Sequence, residues 1–255
     1  MSVKPDAGSP NRYNSANGEN TAVMSVAEDW GYQTDLEVID AMLEVDGKFI
    51  VDAGCGVGAL CRHLATRGAH VLGIEPNPEQ AQINNGAAVV ANVGFKQAGA
   101  AAVPVETNSV DGVIFKNSLH HMHAPDFKKI FNEVSRILKA SGFLYVIEPI
   151  ANGTYQHVME PFHNETSVRF VAYNALLDHA NPLFASMREV YYDIDETYDS
   201  FDAYAARYEG STYNKYTSDI RQPEVQRRFA ECENSHGSYT LTQPMRVNYY
   251  TEIKH

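Results

Sequence analysis

Short apolar runs at 49–53 (FIVDA), 70–74 (HVLGI), 110–115 (VDGVIF) and 143–149 (FLYVIEP) punctuate the first part of the chain. Each has the length and composition of a buried strand, and helical stretches lie between them. The clearest helix is predicted over 126–140, where Phe127, Ile130, Phe131, Val134 and Ile137 make one apolar stripe. Lys128, Lys129, Glu133 and Arg136 fall largely off that stripe, as an amphipathic helix on a sheet requires. A further helix is predicted from Leu36, Ile39, Met42 and Leu43, ending at Asp46-Gly47. Strands alternating with helices predict an α/β fold with a doubly wound sheet.

Beyond residue 150 the alternation stops. Asn164 is placed to cap a helix running to about His179, with Val168, Val171, Ala172 and Ala175 on its inner face. A strand-like run at 188–194, helices near 199–208 and 223–232, and a last apolar run at 239–253 follow. The two strand-like runs are expected to pair as an antiparallel C-terminal edge on a mostly parallel sheet, with the helices as a substrate-lid insertion. Residues 1–25, rich in Ser, Asn, Gly and Pro, read as a flexible arm, 26–150 as a ligand-binding core, and 151–255 as lid helices and strands completing the same domain.

Charge narrows the function classes. The 255 residues carry 20 Lys plus Arg against 32 Asp plus Glu, a formal net charge of −12. Such a surplus repels nucleic acid and anionic membrane surfaces, and no apolar run approaches the roughly 18–20 residues that span a bilayer. A small-molecule substrate and a monomer or homodimer are the expectation. Three cysteines make no disulfide framework and residues 1–25 lack a signal-peptide core, so a reducing cytoplasm is expected.

The most informative segment is Phe49-Ile-Val-Asp-Ala-Gly-Cys-Gly-Val-Gly58, a strand entering a glycine turn and then a helix. Gly54, Gly56 and Gly58 allow a tight turn and close backbone approach to a ligand at the end of the sheet. Asp52 precedes the first glycine by two residues and would repel a pyrophosphate. The spacing is G-x-G-x-G, not the dinucleotide G-x-G-x-x-G, and Glu75 ends the next strand, where a carboxylate can hold both ribose hydroxyls.

On VDAGCGVG, VLGIEP and VDGVIFKNSLHHM, in that order over about 30–150, the chain resembles the class I S-adenosylmethionine-dependent methyltransferases, whose fold is Rossmann-like. The resemblance implies S-adenosylmethionine as cofactor and methyl transfer to a small metabolite as activity. It further implies that Gly54, Gly56 and Gly58 cradle the methionine moiety, that Asp52 anchors the loop and the ammonium end, and that Glu75 takes the ribose. Phe115 and Lys116 would supply backbone contacts, and Asn117, Ser118 and His121 would face the methyl. Where the family often has Gly-Asp-Ala-Glu, this chain has Ala98-Gly99-Ala100-Ala101, so adenine recognition falls to backbone around Gly99 and Ala100. The alternatives are a nicotinamide-dependent oxidoreductase and a non-catalytic S-adenosylmethionine-binding subunit.

Methyl transfer from a sulfonium needs alignment and, for a protonated acceptor, a base. Oxygen or nitrogen is the favoured accepting atom, with an activated carbon third. His121, His157 and His163, with Glu160, are the catalytic candidates, and Tyr13, Tyr32, Asn117, Tyr155 and Arg169 the substrate-binding ones. His120 reads as packing. A metal bound by His157, Glu160, His163 and His121 ranks last, because Pro161 interrupts any single helix and the spacing matches no recognised motif, so none is expected.

Overall fold

The computed structural model describes residues 27–209 and 219–254. The four apolar runs become β2 (Phe49–Ala53), β3 (His70–Glu75), β5 (Val110–Lys116) and the latter part of β6 (Leu138–Pro149), all parallel to one another. Helices α2 (Ala59–Thr66), α3 (Pro78–Gly86) and α4 (Phe127–Ile137) connect them. Neighbouring strand residues face opposite sides of the sheet. Val51, Phe115 and Val146 therefore join Phe131 and Val134 of α4 in one core, while Ile50, Ile114 and Tyr145 join Leu64 of α2 in the other. The predicted stripe of α4 is buried throughout.

The eight-stranded sheet has the order β1-β7-β8-β6-β5-β2-β3-β4. β7 (Phe184–Tyr198) and β8 (Tyr239–Ile253) pair antiparallel from Phe184 opposite Ile253 to Tyr198 opposite Tyr239, and β8 runs antiparallel to β6. This is the expected antiparallel end of a mostly parallel sheet. Two edge strands have no apolar run in the sequence: β1 (Glu28–Tyr32, EDWGY), parallel to β7, and β4 (Val93–Gln97, VGFKQ). Edge strands keep one side against solvent and need little apolar surface, so the periodicity does not announce them.

One helix buries only half of its predicted inner face, the alanines and not the valines. In α6 (Thr166–Ala175) the buried residues are Arg169, Ala172 and Ala175, while Val168 and Val171 are 42% and 41% exposed. Apolar periodicity assigned the inner face to both valines and both alanines; the alanines hold it, and the place of the valines is taken by an arginine paired with Glu165 on the same helix end. The chain continues in a π-helical turn, Leu176–Ala180. Asn164 accepts a hydrogen bond from the Thr166 amide at 3.0 Å, just ahead of the helix.

A third apolar cluster lies beyond the sheet. Val158 of α5 (Gly153–Met159), Phe162, Tyr204 and Tyr208 of α7 (Phe201–Glu209) and Phe229 of α8 (Pro223–Ala230) pack on Tyr198 and Leu241. Edge-to-face rings bind it together, with Tyr198–Tyr204 centroids 5.3 Å apart and Phe162–Tyr208 also 5.3 Å. No described helix is long and apolar enough to cross a membrane.

Candidate active site

At the carboxyl end of β2 the glycine turn adopts left-handed backbone, with φ +77° at Gly54, +50° at Gly56 and +74° at Gly58. Two of these glycines also resolve crowding. A Cβ on Gly54 would lie 2.8 Å from the Ser118 Cβ, and one on Gly58 would lie 2.5 Å from the Phe95 ring. A Cβ on Gly56 would meet nothing within 4 Å, so this backbone is bare toward open space. Glu75, buried at the end of β3, accepts from the Gly56 amide at 3.1 Å through Oε2 and from the Asn77 amide at 2.9 Å through Oε1.

Asp52 is 2% exposed and accepts a hydrogen bond from the Cys61 thiol at 3.1 Å. Burial pushes its carboxyl up to about 6, against the thiol hydrogen bond and the Lys116 charge. Lys116 ends β5 and pairs with Asp35 at 2.6 Å. Asp35 sits in the first turn of α1 (Asp35–Met42), which Thr34 and Glu37 fix by a reciprocal capping box. Asp52, Gly54, Gly56, Glu75, Lys116, Asn117 and His121 line one cavity of about 880 Å³ at the carboxyl ends of the strands.

A second cavity of about 410 Å³ adjoins it, and Asp35, Lys116, Asn117, His121, Ile194 and Glu196 line both. Its remaining wall includes Tyr155, Met159, His163, Glu165, Arg169, Arg207 and Tyr208. Ser118 donates to the Ala53 carbonyl at 2.7 Å, tying the glycine turn to the short helical turn Leu119–His121 that carries the histidines. His120 is buried and ion-paired to Glu148 and to Glu165, the latter at 3.6 Å. Although burial opposes its charge, these carboxylates push His120 up to about 9. Burial, then the charge of His120, depresses His121 below the usual imidazole range. Glu165, against its burial, is held far below the usual carboxylate range by His120, His163 and Arg169.

The sequence candidates therefore divide. Tyr155, His163 and Arg169 face the smaller cavity, although Arg169 is already paired with Glu165 at 2.7 Å and bonded to Gln156 at 3.0 Å. His157 and Glu160 lie elsewhere: they pair with Glu231 at 3.3 Å and Arg228 at 2.9 Å on the exposed side of α5 and line neither cavity. The short helix α5 turns both away from His121, because its inner residues are Gln156, Val158 and Met159. Tyr32 is 61% exposed and also lines neither cavity. Gly58 starts α2 behind the turn, Ala100 and Phe115 are core residues, and Gly99 belongs to the loop after β4. Tyr13 lies outside the described residues. Periodicity gave no signal for Asp35, Glu196 and Arg207, which reach the cavities from three separate elements; His120 has the burial of a packing residue, with two ion pairs in addition.

Comparison with known proteins places this architecture. Residues 51–146 match the family described as "Methyltransferase domain". An uncharacterised methyltransferase of Mycobacterium tuberculosis is 31% identical over 113 residues, 44% of either chain. Sterol 24-C-methyltransferase of Schizosaccharomyces pombe is 30% identical over 133 residues, 50% of this chain and 33% of that protein. The chain thus spans less than half the length of these curated relatives. In fold it is similar to the YcgJ protein of Bacillus subtilis, with a TM-score of 0.51 at 20% identity, covering 85% of this chain and 98% of that one. The matched segment runs from the strand before the glycine turn to the strand that bears Glu148, and over that segment the chain carries a methyltransferase domain.

Proposed function

We propose that this chain transfers the methyl group of S-adenosylmethionine to a small acceptor with a protonated oxygen or nitrogen, bound in the smaller cavity. The observation that carries the reading is the pair of adjoining cavities with His121 in the wall of both. The larger one suits the cofactor: its bare Gly56 backbone admits close approach, Glu75 can accept ribose hydroxyl protons, and the buried Asp52 carboxylate suits a cationic ligand. The smaller, about 410 Å³, has the size of a metabolite site, which supports a small acceptor. That agrees with the net charge of −12, which opposes nucleic acid.

Once bound, the cofactor supplies an electrophilic methyl whose C–S bond breaks as the bond to the acceptor forms, the electron pair leaving with sulfur. The chain's own residues align the acceptor and remove its proton. His121, depressed in pKa, is largely neutral at pH 7 and can take that proton. Tyr155, Tyr208 and Arg207, which line the same cavity, can offer the acceptor hydrogen bonds. An activated carbon is the third kind of acceptor this site admits, and the yeast relative's name specifies methylation at carbon. The three cysteines are free thiols, which suits a reducing cytoplasm.

Calorimetric titration with S-adenosylmethionine, S-adenosylhomocysteine and NAD tests the cofactor, and the expected outcome is binding of the first two. NAD binding alone would establish the oxidoreductase alternative. With a metabolite panel as acceptors, His121→Gln should lower kcat by about 10²-fold or more while changing cofactor affinity little. Binding without turnover on any acceptor would favour a non-catalytic subunit.

A further inference from the structure

His120 is held from both sides. Its Nδ1 meets Glu148 Oε2, and its Nε2 faces Glu165 Oε1 at 3.6 Å. Neither carboxylate is free to turn away. Glu148 Oε1 accepts the Ser118 and Leu119 amides at 3.1 and 2.8 Å, and Glu165 Oε2 accepts from Arg169 at 2.7 Å. A neutral imidazole has a single N–H, so a ring with a carboxylate at each nitrogen is satisfied on both sides only as the cation. The ring centroids of His120 and His121 are 4.0 Å apart, and the His120 side chain is 3% exposed against 51% for His121. One ring of this pair is thus held between carboxylates and reaches only the wall of the smaller cavity, and the other is open to both cavities.

We propose that His120 is a positioning residue for proton removal: as a buried imidazolium clamped between Glu148 and Glu165, it keeps the adjacent His121 neutral and fixes it at the junction of the two cavities. This rests on the reading of His121 as proton acceptor. Two cations cannot stand ring to ring in a half-buried site without a large Coulomb cost, so the histidine with more carboxylate contact takes the proton and the other stays free of it. The charged and titratable groups around His121 are His120 on its own turn, Glu148 at the end of β6, Glu165 at 4.0 Å from the start of α6, His163 from the preceding loop, whose Nε2 lies 2.9 Å from the same Glu165 Oε1, and Lys116, Asp35 and Glu196 around the cavities. His120 packs directly on the His121 ring, the centroids being 4.0 Å apart. The directions of the two titrations agree, His120 raised and His121 lowered.

The test has two arms on the full chain. In an imidazole NMR titration of the wild-type protein, His120 should remain doubly protonated through pH 7 while His121 is neutral, the resonances being assigned with His120→Gln and His121→Gln. In the pH profile of kcat/KM, His120→Gln should move the acidic limb up by at least about one pH unit. His120→Lys, which restores the charge, should return it toward the wild-type position. A merely structural role would lower activity at every pH without moving the limb. The proposal is overturned if His120 loses its proton before His121, or if the limb stays in place in His120→Gln. It is overturned also if the protein purifies with one equivalent of divalent metal that His120→Gln loses, since the donor atoms of His120, His121 and Glu165 lie within 4.8 Å of one another. Should His120→Gln not fold, the wild-type titration decides alone. Full activity of His121→Gln would instead remove the base reading, and the order of the two titrations would still be measured.

Discussion

Asp52 shows how much a single buried side chain can carry. With a carboxyl pushed up from 3.8 to about 6 by burial, the folded chain holds this proton more tightly than the unfolded chain does. Its contribution to stability is therefore fully present below about pH 4 and is lost as pH rises through 6. Between pH 5 and pH 7 the loss amounts to about 1 kcal/mol. Denaturant unfolding of the ligand-free protein at the two pH values, compared with Asp52→Asn, isolates the effect: the variant should lack that component. A cationic ligand beside Asp52 favours the ionised form, so S-adenosylmethionine should bind more tightly as pH rises through 6, a dependence that Asp52→Asn abolishes. The sequence identifies Asp52 by its place before the glycines; that it titrates near 6 follows from the packing around it.

Among the elements, the glycine turn separates two requirements that its spelling combines. Gly54 and Gly58 need positive φ and also lie too close to Ser118 and Phe95 to carry a side chain, whereas Gly56 needs only the conformation. Gly58→Ala should therefore cost about 2 kcal/mol or more of stability, from left-handed strain plus displacement of the Phe95 ring. Gly56→Ala should cost about 1 kcal/mol and weaken S-adenosylmethionine binding disproportionately. Thermal unfolding alongside calorimetry distinguishes the two, and equal effects on stability and affinity in both variants would sink the distinction. The helix α6 teaches the converse. Its valines satisfy the amphipathic pattern yet face outward, because the Glu165–Arg169 pair must lie against His120 and the second cavity. Apolar period ranks faces by hydrophobicity and cannot weigh the burial of the Glu165–Arg169 pair against His120 of another element.

At the scale of the molecule, the sheet and the C-terminal helices have separate apolar cores, and the smaller cavity lies between them. The rings of Tyr198, Phe201, Tyr204 and Tyr239 surround Phe229 in the third cluster, with centroids 4.5–6.3 Å from its own. Phe229→Ala should destabilise by about 3–5 kcal/mol through the cavity it leaves. Because the residues proposed to hold the cofactor lie on the sheet and the glycine turn after β2, affinity for S-adenosylmethionine should change little at a temperature where the variant is folded, while acceptor KM rises as Tyr155 and Tyr208 lose their backing. An unchanged KM would detach the acceptor site from these helices.

The sequence by itself determined four of the parallel strands, the helices between them, the glycine turn and its flanking carboxylates, because each is written in local periodicity or in a short motif whose parts fold against their own neighbours. It also carried the antiparallel pairing of the C-terminal runs. Tertiary structure alone supplied the carboxylates that hold His120, sent His157 and Glu160 to the surface, and brought Asp35, Glu196 and Arg207 to the cavities. Those outcomes depend on groups far apart along the chain: Glu148 and His120 are 28 residues apart and meet only because the ends of β5 and β6 lie side by side. The physical reason is that burial and charge pairing are properties of a place in the fold, and a residue's type fixes only what it can do once it arrives there.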